Sequence, residues 1–324
     1  MKICYISCSY IFGGIENIIV QTLNELCKFH EVCYVLPKGA DFLDKFDKRV
    51  KIYEYKSYDK RYNLFLFLEI ADIIKGYDII HTHGGKATQI LYVLHKFMKF
   101  NFIATKHSLG KGAIFNRVKN VISVSKVVSK TVNHDNSVIY FGLKPQEIKR
   151  SKLPQIFTVC AIGRLVYIKG FDMLISEMSK LNFDFRLHIY GEGRERDSLQ
   201  NLINKLNLND KVKISGFCKN IPEILANSHL QIISSRKEGL PLTLLEGIFY
   251  SNLTIATKVG GIPEAVDNDF LYDIENLSDF VDKIYKNYDS FKNNFSLKHK
   301  NVKEKFSFDN YIKNILNYYQ SILN

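Results

Sequence analysis

Arg164 and Lys169 stand five residues apart in Ala161-Ile162-Gly163-Arg164-Leu165-Val166-Tyr167-Ile168-Lys169-Gly170, directly after an apolar run. Two cations in one loop can clamp a diphosphate, the guanidinium as a fork and the ammonium as a point charge. The same loop also reads as a connection between strand and helix with solvated charges. A second segment, Glu238-Gly239-Leu240-Pro241-Leu242-Thr243-Leu244-Leu245-Glu246, puts Pro241 in the first turn of a helix. Backbone amides from Gly239 through Leu240, Leu242 and Thr243 then form a helix start that attracts anions. Glu238 and Glu246 do not suit phosphate, but they suit the hydroxyls of a sugar or ribose. Taken alone, this segment favours the plainer reading of a helix with capping or exposed acids.

Three histidines close apolar runs: His81 and His83 in Ile79-Ile80-His81-Thr82-His83-Gly84, and His107 in Ala104-Thr105-Lys106-His107-Ser108. His83 and His107 fall at the carboxyl ends of expected strands, the edge where open α/β sheets bind ligands. His81 reads as a partly buried strand residue, and His107 has helix capping as its alternative. A two-histidine metal site lacks a neighbouring carboxylate in the sequence. Glycine-rich turns follow other apolar runs: Phe12-Gly13-Gly14-Ile15-Glu16, Tyr190-Gly191-Glu192-Gly193 and Val259-Gly260-Gly261-Ile262-Pro263-Glu264. The second of these lacks the third glycine of a dinucleotide fingerprint, which disfavours an NAD enzyme.

In this order the motifs resemble the retaining glycosyltransferases of family 4, of the bacterial cell-envelope glycan type, which have the GT-B fold. The resemblance covers nearly the whole chain and is strongest over residues 157–266. It implies that Arg164 and Lys169 neutralise the donor diphosphate, that Glu246 holds the nucleotide ribose and that Glu238 lies near the donor sugar. Gly163, Gly191 and the run Gly239, Leu240, Pro241, Leu242 and Thr243 would belong to the same donor site. Gly13 and Gly14 would approach donor phosphate and acceptor across a cleft, and His107 would lie against the transferred sugar. The donor would be a nucleotide-diphosphate sugar, a UDP-sugar favoured, with no cofactor and no metal. The acceptor would be a glycan carried on lipid: a lipopolysaccharide core, a polyprenyl-linked oligosaccharide or a capsule precursor. Ile139-Tyr140-Phe141-Gly142-Leu143 departs from the Pro-Asn-Gly turn usual there.

The elements that must position these residues alternate strand and helix. Expected strands are 2–7, 30–36, 50–55, 77–82, 101–105, 120–123 and 137–140, then 157–162, 184–190, 212–216, 229–233, 254–257 and 270–272. Helix-like segments include 16–29, 63–75, 86–100 and 306–324. Such alternation implies parallel, doubly wound α/β sheets, and two series imply two Rossmann-like domains. The expected domains are 1–152 and 153–305, joined near the polar, proline-bracketed Lys144–Pro154. A closing helix, 306–324, is expected to cross back to the first domain.

Of 324 residues, 46% are hydrophobic and 24% charged, which excludes a disordered chain. No apolar run approaches the ~18 residues of a spanning helix. The start reads as a strand and not as a signal peptide. Six cysteines without a C-x-x-C pair suit a reducing cytoplasm and argue against a metal or disulfide framework. Residues 1–152 hold twenty-four basic and thirteen acidic side chains, so nearly all of the formal +12 belongs to the first half. From Ile79 to His134 there are nine Lys or Arg and no acid. Ala87, Ile90, Leu91, Leu94, Phe97 and Met98 would form the buried face of the 86–100 helix. Lys86, Lys96 and Lys99, with Tyr92 and Phe100, would form a basic face suited to an anionic membrane surface, or equally the solvated face of an ordinary helix packed on the sheet. The rival readings are a GT-B sugar epimerase or phosphorylase, and a basic nucleic-acid-binding protein. No lysine segment recommends a pyridoxal phosphorylase, and no nucleic-acid motif accompanies the charge.

Overall fold

Buried apolar runs such as Ile3–Ile6 and Val32–Leu36 become the strands of two parallel sheets, each covered by helices. The computed structural model describes residues 1–58, 60–110 and 112–324. Its contacts separate two units, Met1–Phe141 with Tyr311–Asn324, and Gly142–Asn310.

In the N-terminal unit the strands are β1 (Lys2–Ile6), β2 (Glu31–Pro37), β3 (Lys51–Tyr55), β4 (Ile79–His83), β5 (Phe102–Lys106), β6 (Asn120–Ser123) and β7 (Ser137–Val138). They pair in the order β3-β2-β1-β4-β5-β6-β7. Helices α1 (Gly14–Leu26), α2 (Leu64–Ile74), α3 (Gly85–Leu94) and α4 (Lys126–Ser129) connect them. Helix α1 buries Ile18, Ile19, Leu23 and Leu26, spaced to share one side of a helix. Asn63 starts α2 by accepting from the Phe65 amide at 3.1 Å. Strand order reverses between β1 and β4, so the crevice at their carboxyl ends is the expected ligand position.

The C-terminal unit has β8 (Phe157–Ile162), β9 (Phe185–Tyr190), β10 (Val212–Gly216), β11 (Leu230–Ile233), β12 (Thr254–Thr257) and β13 (Leu271–Tyr272), in the order β10-β9-β8-β11-β12-β13. Its helices are α5 (Phe171–Met178), α6 (Arg196–Lys205), α7 (Ile221–Ala226), α8 (Leu242–Tyr250), α9 (Leu277–Lys286) and α10 (Tyr288–Lys305). Here the order reverses between β8 and β11. Helix α11 (Phe308–Leu323) begins in this unit and from Tyr311 onward belongs to the N-terminal one.

Three expectations are corrected. The division falls at Phe141/Gly142 and not at 152/153. The polar stretch after it is tied down rather than free: the Gln146 amide donates to Tyr250 Oη at 2.9 Å, and the Ser151 amide to Asn227 Oδ1 at 2.8 Å. The helix expected over 86–100 ends at Leu94, where the chain tightens into a short turn closed by Phe97 N to Leu94 O at 2.9 Å. Phe97, expected inside, is therefore 83% exposed.

Candidate functional site

In the C-terminal unit the loops after β8 and β11 meet. Lys169 Nζ donates to Glu238 Oε1 at 2.5 Å, both side chains being largely buried. Ser235 Oγ donates to the same carboxylate oxygen at 2.7 Å, and Ser234 Oγ to the Lys169 carbonyl at 3.0 Å. The lysine stem lies over Gly163, where an added Cβ would sit 3.6 Å from Lys169 Cδ and Cε. Gly191 backs this arrangement, because a Cβ there would strike the Gly163 carbonyl. Gly260, at φ +56°, passes so close to the Glu238 carbonyl that no side chain fits. The motif glycines thus let three loops close around the Lys169–Glu238 pair.

Beside the pair, Pro241 caps α8 with extended backbone and so stands just before the helix, not within its first turn. It offers no side-chain acceptor, and the helix start carries no side-chain cap. Gly239, Leu240 and Pro241 are buried, while Leu242 and Thr243 are half-buried. An uncapped helix start with this exposure can hold an anion. Glu246 lies one turn after Leu242 on the same side of α8 and is buried, neither capping nor exposed. Burial pushes its carboxyl up to about 7. Arg164 shares the loop with Lys169 but is exposed, and among the described residues no ion pair engages it.

Sequence reasoning missed the clamp that fixes these loops. Arg236 makes two 2.7 Å bonds to the Asp172 carboxylate, lies 3.9 Å over the Tyr167 ring and donates to the Tyr167 carbonyl. Burial works against ionisation of Asp172, but the Arg236 hydrogen bond and charge more than offset it and hold the carboxyl below its ordinary value. The signal available was a single arginine two residues before Glu238. The expectation of a metal-free step also took the chain to hold no D-x-D triplet, but it has one, Asp267-Asn268-Asp269. Both its carboxylates hold Lys298, at 2.8 and 2.5 Å.

In the N-terminal unit, strand alternation puts Tyr5, His81, His83 and Thr105 on one side of the sheet, with His107 following β5 two residues after Thr105. Tyr319 Oη bonds Tyr5 Oη at 2.6 Å and His81 Nδ1 at 2.7 Å, and His81 Nε2 bonds Thr105 Oγ1 at 2.6 Å. His81 is thus a fully satisfied core residue. His83 Nδ1 and His107 Nε2 lie 3.0 Å apart in a hydrogen bond, so His107 does not cap a helix. Phe141, in the loop that departs from Pro-Asn-Gly, stacks on His107 at 5.5 Å. Among the described residues His83 Nε2 and His107 Nδ1 are buried without a partner. Burial pushes His107 and His81 down to about 3 and His83 well below its ordinary value. Two neutral imidazoles joined by one bond leave one outer nitrogen to donate and the other to accept. Gly13 caps α1 and Gly14 opens it, again without a side-chain cap. A Cβ on Gly13 would lie 3.0 Å from Glu16 Oε2, so a carboxylate stands beside this helix start.

The structure therefore brings together Gly163, Lys169, Gly191, Glu238 and the start of α8 in one unit, and His83 with His107 in the other.

Residues 141–303 match the family model described as glycosyl transferases group 1, and residues 12–140 match that of glycosyltransferase family 4. A phosphatidylinositol N-acetylglucosaminyltransferase component from Arabidopsis thaliana is 28% identical over 62% of this chain and 52% of its own length. The amylovoran biosynthesis glycosyltransferase AmsD of Erwinia amylovora is 26% identical over 81% of this chain and 83% of its own. The chain spans about half the length of several of the curated relatives it matches, the Arabidopsis protein among them. Anabaena HepE, solved in complex with UDP-glucose, superposes with a TM-score of 0.87 at 18% identity, over 99% of this chain and 100% of that one.

Proposed function

The chain belongs to the glycosyl transferases group 1 family and has the GT-B fold, and from that premise we propose that it moves a hexosyl or N-acetylhexosaminyl group from a UDP-sugar to a glycan hydroxyl with retention. The observation that carries the donor side is the buried Lys169–Glu238 pair at the carboxyl edge of β8 and β11, next to the uncapped start of α8. A diphosphate at the Leu242 and Thr243 amides would take over Lys169 from Glu238. Glu238 then accepts hydroxyls of the donor sugar, Arg164 adds the second cation and Glu246 accepts the ribose hydroxyls. The acceptor oxygen bonds to the anomeric carbon on the side from which the diphosphate leaves, and its proton passes to the departing phosphate oxygen. Lys169, Arg164 and the helix start stabilise the charge that grows there, so the step as proposed needs no metal. His107, neutral and steered by His83, hydrogen-bonds the transferred sugar.

For the acceptor, the relatives' names support a glycan or a glycosylated lipid: one is an amylovoran biosynthesis glycosyltransferase, another a component of a phosphatidylinositol N-acetylglucosaminyltransferase. We therefore propose a lipid-linked acceptor at the inner face of the cytoplasmic membrane, reached peripherally. Among the described residues no helix is long and apolar enough to cross a membrane.

A thermal-shift series with UDP-, GDP- and CMP-sugars tests the donor. A ligand at about 100 times its Kd adds ~2.7 kcal/mol of stability, and the UDP-sugars are expected to raise the melting temperature most. No shift with any of them overturns the donor reading. A labelled donor that returns an isomerised sugar without a new glycosidic bond overturns transfer in favour of epimerisation.

A further inference from the structure

The expected basic helix is not the most conspicuous surface of the N-terminal unit. Tyr58, Tyr62, Leu64, Phe65 and Leu68, five large apolar side chains within eleven residues, are each 60–75% exposed. Helix α2 turns Leu66, Ile70 and Ile74 to the sheet, which leaves Leu64, Phe65 and Leu68 as a second apolar side facing outward. A helix apolar on both sides has one side without a partner. The patch is held firmly: Gln89 Nε2 donates to Tyr62 Oη at 2.8 Å, and Asn63 caps the helix. Lys56, Lys60 and Arg61 flank it, with Lys60 Nζ 5.0 Å over the Tyr58 ring. The acid at the back of the segment is turned to the backbone, Glu69 accepting from the Lys56 and Ser57 amides at 2.9 and 3.0 Å. Asp59 lies outside the described residues, and Asp72, one turn beyond Leu68 on α2, is an exposed acid at the far end of the patch.

We propose that this patch docks the N-terminal unit on an anionic bilayer. Leu64, Phe65 and Leu68 enter the boundary between headgroups and acyl chains. Tyr58 and Tyr62 lie at headgroup level, and Lys56, Lys60 and Arg61 meet lipid phosphates. The position serves the reaction, because the loop leaves the carboxyl end of β3, the same sheet edge that carries His83 and His107. At ~4.8 Å between neighbouring strands, three spacings put it ~14 Å from the end of β4. A lipid-carried acceptor would then be held beside the edge where it reacts. This inference rests on the reading that the chain works at an anionic membrane, and it moves the contact from Lys96 and Lys99 to α2.

Sedimentation with vesicles of phosphatidylcholine and phosphatidylglycerol in equal parts tests it, with UDP thermal shift measured on each variant. Wild type is expected to pellet, and Phe65→Ser/Leu68→Ser to partition ~10-fold or more weakly, as loss of two inserted apolar side chains requires. Lys60→Glu/Arg61→Glu should weaken binding in a salt-dependent way, and Lys96→Glu/Lys99→Glu only slightly. Pelleting of Phe65→Ser/Leu68→Ser equal to wild type overturns the inference, as does wild type left in the supernatant. A dimer abolished by Phe65→Ser/Leu68→Ser, with no vesicle binding, replaces it with an interface between copies of the chain. A UDP shift retained in these cases keeps the donor reading intact, whereas its loss in wild type sinks that reading and not this one.

Discussion

The two units use one architecture for opposite electrostatics. At the carboxyl edge of β8 and β11, polar function rests on charge: Lys169 on Glu238, Arg236 on Asp172, and a bare helix start. On the β4 and β5 side of the other unit it rests on neutral groups, three buried histidines and two tyrosines joined by hydrogen bonds. Yet the N-terminal half carries the net positive charge, on side chains that are mostly exposed among the described residues, Lys106 being the buried exception. On the proposed function the contrast separates two tasks. A departing diphosphate needs cations where charge grows, whereas a sugar hydroxyl needs only a fixed donor and acceptor.

The largest effect should come from the charged side. Lys169→Ala is expected to lower kcat/KM by ~10- to 1000-fold, the span for losing a charged contact in the transition state. Glu238→Gln should raise KM for the sugar nucleotide and leave the fold in place, because Ser235 and Lys169 still have hydrogen-bond partners. Wild-type turnover by Arg164→Ala/Lys169→Ala would remove the cations from the mechanism and erase the contrast.

The neutral side should respond less. His107→Ala is expected to lower kcat/KM by roughly 3- to 100-fold with unchanged UDP affinity, as loss of one or two hydrogen bonds would. His83→Asn, which removes only the partner of His107, should cost less. Neither histidine should contribute an inflection to the pH profile between pH 6 and 8, since burial keeps His107 neutral down to about 3. A wild-type inflection near pH 6.5 that disappears in His107→Ala would show a charged histidine and break the comparison.

The two sides also differed in what could be read beforehand. Buried parallel strands are continuous runs without charge, so Phe157–Ile162 and Thr254–Thr257 stand where the pattern put them. Gly163, Lys169, Glu238 and Glu246 were legible as motifs, but the bond between Lys169 and Glu238 was not, because only the meeting of two loops makes neighbours of residues 69 apart. His83 and His107 carried no motif naming them as a pair. Sheet register alone sets them side by side. Phe97 was misplaced because hydrophobic period carries no mark of where the backbone leaves a helix. The residues 144–154 looked like a linker because backbone amides satisfied by Tyr250 and Asn227 are indistinguishable, in sequence, from those satisfied by water.

The smallest expected effect sharpens the comparison, because burial keeps Glu246, one turn into α8, partly neutral near pH 7. Burial raises its carboxyl to about 7, against ~4.3 in an unfolded chain. Between these values the unfolded chain has released the proton and the folded one has not, so folding stability falls as pH rises from ~4.3 to about 7 and levels off above. Glu246→Gln, neutral throughout, lacks this fall, so its melting temperature should gain on that of wild type across the same window. Ribose hydroxyls donating to Glu246 favour the ionised form and lower its pKa. UDP should therefore stabilise wild type more as pH rises toward 7, beyond any change seen in the glutamine variant. Equal pH dependence of the UDP shift in both proteins would mean that the ribose does not meet Glu246. The carboxylate would then be a buried residue of α8 with no part in donor binding.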